Sequence, residues 1–207
     1  MKKKVVFIGG GKFAGMLYSI FRKDYDFIGY VDDVCDRAYV EETYSLKNLG
    51  KSTDLPALRS KTDYVVISIG NMAARIKYIH LIRSISFPTV SLISKTAIIA
   101  DNALLSEGCI IQHQVIINPM AKVGDFCVAL NNAIVGHDNL IGSNVFLAPS
   151  VTLNGDVAVG DNSFIGTGAV VVPKINIGEG SFVAAGACVT HDLPPHSRVA
   201  GVPARTM

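Results

Sequence analysis

The sequence predicts two domains of different class. Residues 1–90 form an α/β, Rossmann-like unit, and residues 91–207 form an all-β parallel β-helix with a C-terminal tail. Three observations lead there. Strands and helices alternate through the first part of the chain, a glycine-rich turn closes the first strand, and apolar residues recur at every sixth position from Ile93 to Val189.

Taken in order, residues 5–8 (Val5, Val6, Phe7, Ile8) read as a short buried strand followed at once by Gly9, Gly10 and Gly11. An amphipathic helix over residues 13–22 places Met16, Leu17, Ile20 and Phe21 on one face. A second strand over residues 27–31 ends in Asp32 and Asp33. Residues 55–60 begin a further helix, with Pro56 in its first turn. Residues 64–69 make a third strand ended by Gly70 and Asn71, residues 73–84 are helical, and Pro88 to Val90 lead out of the domain. Strands alternating with helices imply a parallel sheet, here of about four strands. Gly9-x-Gly11-x-x-Ala14, with Asp32 and Asp33 about twenty residues on, meets the dinucleotide fingerprint. Its glycines let the backbone approach phosphate oxygens, the helix N-terminus favours negative charge, and an acidic residue after the second strand can accept from a ribose or a base. A domain this short is half of a dinucleotide fold, so one nucleotide rather than NAD is expected.

From residue 93 the period changes to six. With 49% of the chain hydrophobic, an unbroken run of this length has a chance on the order of 10⁻⁵, and six fits neither a helix nor a plain alternating strand. Most residues four places after each apolar hit are small or β-branched, Ala121, Ala133, Val145 and Val157 among them. Three hexapeptide turns make one triangular coil, so residues about eighteen apart stack. The frame runs without insertion, so any active site is built on the coils themselves and on neighbouring copies.

A net charge of +2 argues for neither a nucleic-acid nor a membrane surface. The basic start, Lys2 to Lys4, precedes an apolar run too short for an export signal, and no segment approaches the roughly 20 apolar residues that cross a bilayer. A cytoplasmic protein is expected. Cys35, Cys109, Cys127 and Cys188 form no CxxC pair. Cys109 and Cys127 could stack on neighbouring coils, but buried thiols are the expectation. His80 reads as a surface residue on a helix, and His191 and His196 as solvated tail residues flanking Leu193, Pro194 and Pro195. His113 and His137 both fall two places after an inward residue, at coil corners. Their separation sends them to different sides, so no metal site is expected. His137 is followed by Asp138, and the residues leave both a surface and a catalytic role open: such a histidine can take a proton from an attacking amine, with a carboxylate fixing its tautomer. Asn139 breaks the rule of small or β-branched residues at its position.

The chain resembles, over nearly its full length, the bacterial sugar O- and N-acetyltransferases that join a small Rossmann-like domain to a left-handed β-helix. The likeness lies in residues 6–11 and 29–33, in Ile69-Gly70-Asn71 with Arg75, in residues 136–142 and in residues 200–205. Among these relatives are enzymes acting on nucleotide-linked 4-amino-4,6-dideoxy sugars and on sialic acid. The resemblance implies acetyl transfer from acetyl-CoA to a sugar amine in surface-glycan synthesis, with His137 as general base, Asp138 beside it, and no metal. Eighteen residues on from His137 lies Gly155, and there the spacing and the family pattern agree on a backbone N–H that holds the thioester oxygen. The resemblance further implies a homotrimer with sites between subunits, and a nucleotide sugar on Gly9, Gly10, Gly11, Lys12, Phe13, Asp32 or Asp33, Gly70 and Asn71. It places pantetheine past Gly155, Thr167 and Ala185, and the CoA phosphates near Arg205. Two departures stand out: Lys12-Phe13-Ala14 replaces a Gly-His-Gly common in relatives, and Phe146 stands where many carry a second histidine. O-acetylation of a sugar hydroxyl and a non-catalytic nucleotide-sugar-binding scaffold are the alternatives.

Overall fold

A computed structural model describes residues 2–34 and 38–207; Cys35 lies outside the described residues. The chain divides into two compact units, Met1–Val90 and Ser91–Met207.

The first unit is built on a three-stranded parallel sheet in the order β2 (Asp26–Val31), β1 (Lys4–Ile8), β3 (Tyr64–Ile67). The expected fourth strand is absent among the described residues. Single bridges extend the sheet instead, Tyr30 with Asn48 and Val65 with Thr89. β3 also ends two residues early, because the Ser68 hydroxyl turns back to donate to the carbonyls of Ile8 (2.9 Å) and Gly9 (2.7 Å). Helix α1 (Lys12–Phe21) buries Ala14, Leu17 and Phe21. A short helix α2 (Tyr39–Tyr44), which lacks an apolar stripe long enough to be legible in sequence, contributes buried Val40. A turn of 3₁₀ helix (Ser52–Asp54) runs into α3 (Leu55–Leu58), with Pro56 in its first turn as its fixed φ allows. Helix α4 (Met72–Ser84) is capped by Asn71, whose side chain accepts the Ala74 N–H at 2.9 Å.

The second unit is a left-handed β-helix whose coils present three faces, each a parallel sheet of two-residue strands. Ile110–Ile111, Val128–Ala129, Phe146–Leu147, Phe164–Ile165 and Phe182–Val183 lie on the first face. The second carries Ile116–Ile117, Ile134–Val135, Thr152–Leu153, Val170–Val171 and Cys188–Val189. The third carries Lys122–Val123, Leu140–Ile141, Ala158–Val159 and Asn176–Ile177. Partners along each face are eighteen residues apart, as Ile134 is from Thr152. The six-residue period is thus the interior: every hit from Ile111 to Val189 is buried, each worth about 1.5–3 kcal/mol for the larger side chains. In the first coil, which has no coil beneath it, Ile93 is 40% exposed. Cys109 and Cys127 are buried thiols that form no disulfide. Their Sγ–H groups donate to the carbonyls of Gly124 (3.2 Å) and Gly142 (2.9 Å). On the outside of the first face Phe146, Phe164 and Phe182 stack at 5.4 and 5.3 Å, and the Arg198 guanidinium lies 4.6 Å over Phe182.

Two features were not foreseen. From Gly108 to Gly186 the third residue after every inward position has φ between +53° and +67°, glycine or not. These left-handed corners donate their N–H to the previous coil, as Asn132 does to the His113 carbonyl (3.0 Å) and Asp156 to the His137 carbonyl (3.0 Å). The expected tail is instead a further, shortened coil. Leu193 bridges Ile177 and Val199 pairs with Val183, sixteen residues apart rather than eighteen. Leu193 and Val199 fill the interior, so the period resumes two residues out of phase. Arg205–Thr206 then folds back antiparallel on Val199 and Ala200.

Candidate active site

The corner after the second face carries the His-Asp step. Gly136 leaves the strand where an added Cβ would lie 2.4 Å from the Asn154 carbonyl oxygen, so only glycine permits the close approach of the coils. His137 follows with its side chain 62% exposed, and Asp138 takes the left-handed corner (φ +58°), a conformation aspartate tolerates better than most residues. That corner turns the carboxylate back on its neighbour, with Asp138 Oδ2 2.8 Å from His137 Nδ1. A carboxylate there accepts Nδ1–H, which leaves Nε2 with its lone pair. Nε2 faces the next coil: a Cβ built on Gly155 would fall 2.3 Å from it. Gly155 O accepts the Lys174 N–H and its neighbour Asp156 donates to the His137 carbonyl. The Gly155 N–H has no partner among the described residues. The corner therefore holds an imidazole with Nδ1 tied down by a carboxylate, beside an unspent backbone donor.

Thr167 and Ala185 are exposed and lie on another edge, the corner after the first face, in one column with His113 and Asn131. His113 is exposed there, its Nδ1 2.7 Å from the Ser94 hydroxyl and 3.1 Å from that of Thr96. Arg205 is exposed on the terminal antiparallel strand. His80, His191 and His196 are exposed. Among the described residues no group of three or more His, Cys, Asp or Glu could hold a metal ion, and no helix is long and apolar enough to cross a membrane.

In the first unit a cleft of about 370 Å³ is lined by Gly9, Gly11, Lys12, Phe13, Asp32 and Gly70, with Val34, Ser68, Ile69, Ala74 and Tyr78. Gly9 adopts φ +95°, and a Cβ there would collide with Ile69 at 2.5 Å. Gly11 precedes α1 with open space around it and no side-chain cap, so the helix N-terminus faces solvent. An anion is favoured at such an end. Gly10 lies behind this lining, packed on Tyr30 and Ala38, its N–H donated to Asp32 Oδ2 at 2.9 Å. Asp32 Oδ1 accepts the Val34 N–H at 2.9 Å. Asn71 serves as the cap of α4 rather than as lining.

Asp33 does not line the cleft. It accepts from the Ser52 N–H and hydroxyl, each at 2.8 Å, and from the Lys77 ammonium and Tyr78 hydroxyl, each at 2.9 Å. Burial opposes its charge, but the hydrogen bonds, led by the Ser52 N–H, outweigh that and hold the carboxyl well below the usual range. Tyr78 is pushed strongly upward, first by burial and then by donating to that carboxylate. Ser68 and Tyr78 were missed in sequence. The one available signal was spacing, since Ala74 and Tyr78 are four apart on one face of α4.

Two family profiles match the chain, "PglD N-terminal domain" over residues 4–82 and "Bacterial transferase hexapeptide (six repeats)" over residues 140–173. Among solved structures the chain is similar to a histidine-to-asparagine mutant of perosamine N-acetyltransferase from Caulobacter crescentus, in complex with CoA and GDP-perosamine. The two are 31% identical with a TM-score of 0.92, covering 99% of this chain and 96% of that one. PerB from Caulobacter crescentus, with the same two ligands, matches at 27% identity and TM-score 0.77, over 99% and 97% of the two chains. The acetyltransferase domain of PglB from Neisseria gonorrhoeae, in complex with acetyl coenzyme A, shares the fold over the whole of both chains, at 23% identity and TM-score 0.91. Among curated proteins compared by sequence, none matches.

Proposed function

Because the chain belongs to the PglD-type hexapeptide-repeat acetyltransferases, we propose that it transfers the acetyl group of acetyl-CoA to the C4 amine of a nucleotide-linked 4-amino-4,6-dideoxy sugar. The observation that carries this reading is the corner at His137, with Nδ1 held by Asp138 and Nε2 against a glycine whose N–H is unspent. His137 Nε2 takes the proton the sugar amine loses as its nitrogen bonds to the thioester carbon. The Gly155 N–H donates to the oxygen on which negative charge develops. Asp138 stabilises the imidazolium. His137 then returns the proton to the sulfur as the carbon–sulfur bond breaks, so that N-acetyl sugar and CoA are the products.

The nucleotide is assigned to the cleft of the first unit. Its phosphates sit at the α1 N-terminus near Gly11, Lys12 and Phe13, and Asp32 rather than Asp33 is the acidic residue facing it, which the lining supports. Thr167 and Ala185 are assigned to pantetheine and Arg205 to the CoA phosphates. They stand on a different edge from His137 within one chain, which favours a site shared between copies, in a homotrimer.

The test offers acetyl-CoA with a panel of nucleotide-linked sugars bearing an amine or a hydroxyl at C4, followed by mass spectrometry, for the wild type and His137→Ala. Acetylation of the amine is expected. In the variant kcat falls about 10²- to 10⁴-fold, with sugar-nucleotide affinity by calorimetry unchanged. Near-normal turnover by His137→Ala overturns the reading, and acetylation confined to hydroxyl acceptors turns it to O-acetyl transfer.

A further inference from the structure

Asn139 is fully buried at 0% exposure, two residues beyond His137. Its Oδ1 accepts the Val157 N–H at 2.8 Å, while its Nδ2 has no hydrogen-bond partner among the described residues. A buried amide donor left unpaired costs free energy. Packing does not require it, since Ala121 and Val157 occupy the positions directly below and above in the same column. What the side chain does is local. At some corners the equivalent N–H closes its own turn, as Ala103 does on the Ala100 carbonyl at 2.9 Å and Ala121 on the Asn118 carbonyl at 3.3 Å in this same column, whereas the Asn139 and Ile175 N–H groups do not. The turn over residues 154–157 has no such closing bond among the described residues. It is held from the coil below, by Asp156 N–H on the His137 carbonyl (3.0 Å) and by Val157 N–H on Asn139 Oδ1. Gly155 lies just before those two donors.

We propose that Asn139 is a positioning residue for acetyl transfer, fixing the turn that carries Gly155 so that its N–H stays over His137 Nε2. This rests on the roles given above to His137 and Gly155. Asn139 does not touch the reacting atoms. It ties the strand that leaves the base to the turn that bears the donor, and the orphaned Nδ2 is the cost of supplying Oδ1 at that depth. A shift of about 1 Å at such a donor is worth about 100-fold in rate.

The chain itself supplies the control substitutions. Valine fills the same position in the next coil at Val157, and serine can supply the acceptor, as Ser163 Oγ takes the Ser181 N–H at 3.2 Å. Steady-state kinetics with acetyl-CoA and GDP-perosamine should show kcat of Asn139→Val down about 10- to 100-fold. KM for GDP-perosamine should hold, and the melting temperature should stay within about 5 °C of wild type. Asn139→Ser should recover most of the loss. Amide exchange at Val157 should quicken in Asn139→Val and return towards wild type in Asn139→Ser, a readout that needs no turnover. Unchanged kcat in Asn139→Val, a loss that follows the melting temperature without rescue by serine, or unchanged exchange at Val157 overturns the inference. His137→Ala run in parallel separates the two levels. If it is inactive while Asn139→Val is normal, only the positioning role fails; if it turns over normally, the assignment of the base fails first.

Discussion

At the scale of single residues, Gly155 is where geometry and chemistry meet. Its φ is ordinary, so its backbone conformation does not demand glycine; the imidazole does. A methyl group at Gly155 would meet His137 Nε2 and Cε1 at 2.3 and 2.5 Å, and the ring must swing away from the position where it can take a proton. Gly155→Ala should therefore lower kcat about 100-fold or more and leave binding to the first unit intact, measured by initial rates beside calorimetry with the sugar nucleotide. An alanine variant of normal kcat would remove the pairing of these two residues from the mechanism. The pairing was legible in sequence, because counting by eighteen from His137 reaches Gly155. The same count never reaches Thr167 or Ala185, so their place on another edge was also legible. The partners of Asp33 were not, since Ser52, Lys77 and Tyr78 come together only when α3, α4 and the end of β2 are packed.

At the scale of elements, Asp33 fastens the first unit, joining the end of β2 to the turn before α3 and to α4. Its folded pKa lies below that of the unfolded chain. Its contribution is thus fully present above about pH 4, the unfolded carboxylate value, and is lost as pH falls towards the lower folded value. Thermal melts of the wild type and Asp33→Asn should differ most near pH 6 and converge as the solution is acidified. A gap that stays constant across that range would mean the carboxylate charge is not what the cluster uses. Elements were legible to the degree that their residues share one period. The β-helix announced itself because one position in six fills the interior, and α1 and α4 because their apolar faces are long. The left-handed corners were marked only in part: Gly, Asn or Asp fills most of them, but Gln114, Met120, Phe126, Ser150 and Lys174 adopt the same conformation and break the signal. The last coil was hidden by its two missing residues.

At the scale of the whole molecule, the proposed base on one corner and the proposed pantetheine residues Thr167 and Ala185 on another favour a site shared between chains. If so, two defective chains can repair one another. Co-expressed His137→Ala and Thr167→Trp chains, each inactive alone, should assemble into mixed trimers in which about a quarter of the sites pair an intact His137 with an intact Thr167. Activity near that fraction of wild type is the expected result. No recovery in trimers shown by mass to be mixed would place the whole site within a single chain.

The ladder of coils has one further consequence. The strands of each coil pair with those of the coils directly above and below it, so the second unit behaves as a stack in one dimension, whose order is lost most cheaply from its ends. Residues 135–157 lie in the middle of that stack. Fraying of the first coil, or of the shortened last one, can come and go while the two turns that face each other across His137 and Gly155 keep their places. The geometry proposed for acetyl transfer is thus insulated from the molecule's own opening motions by the coils on either side.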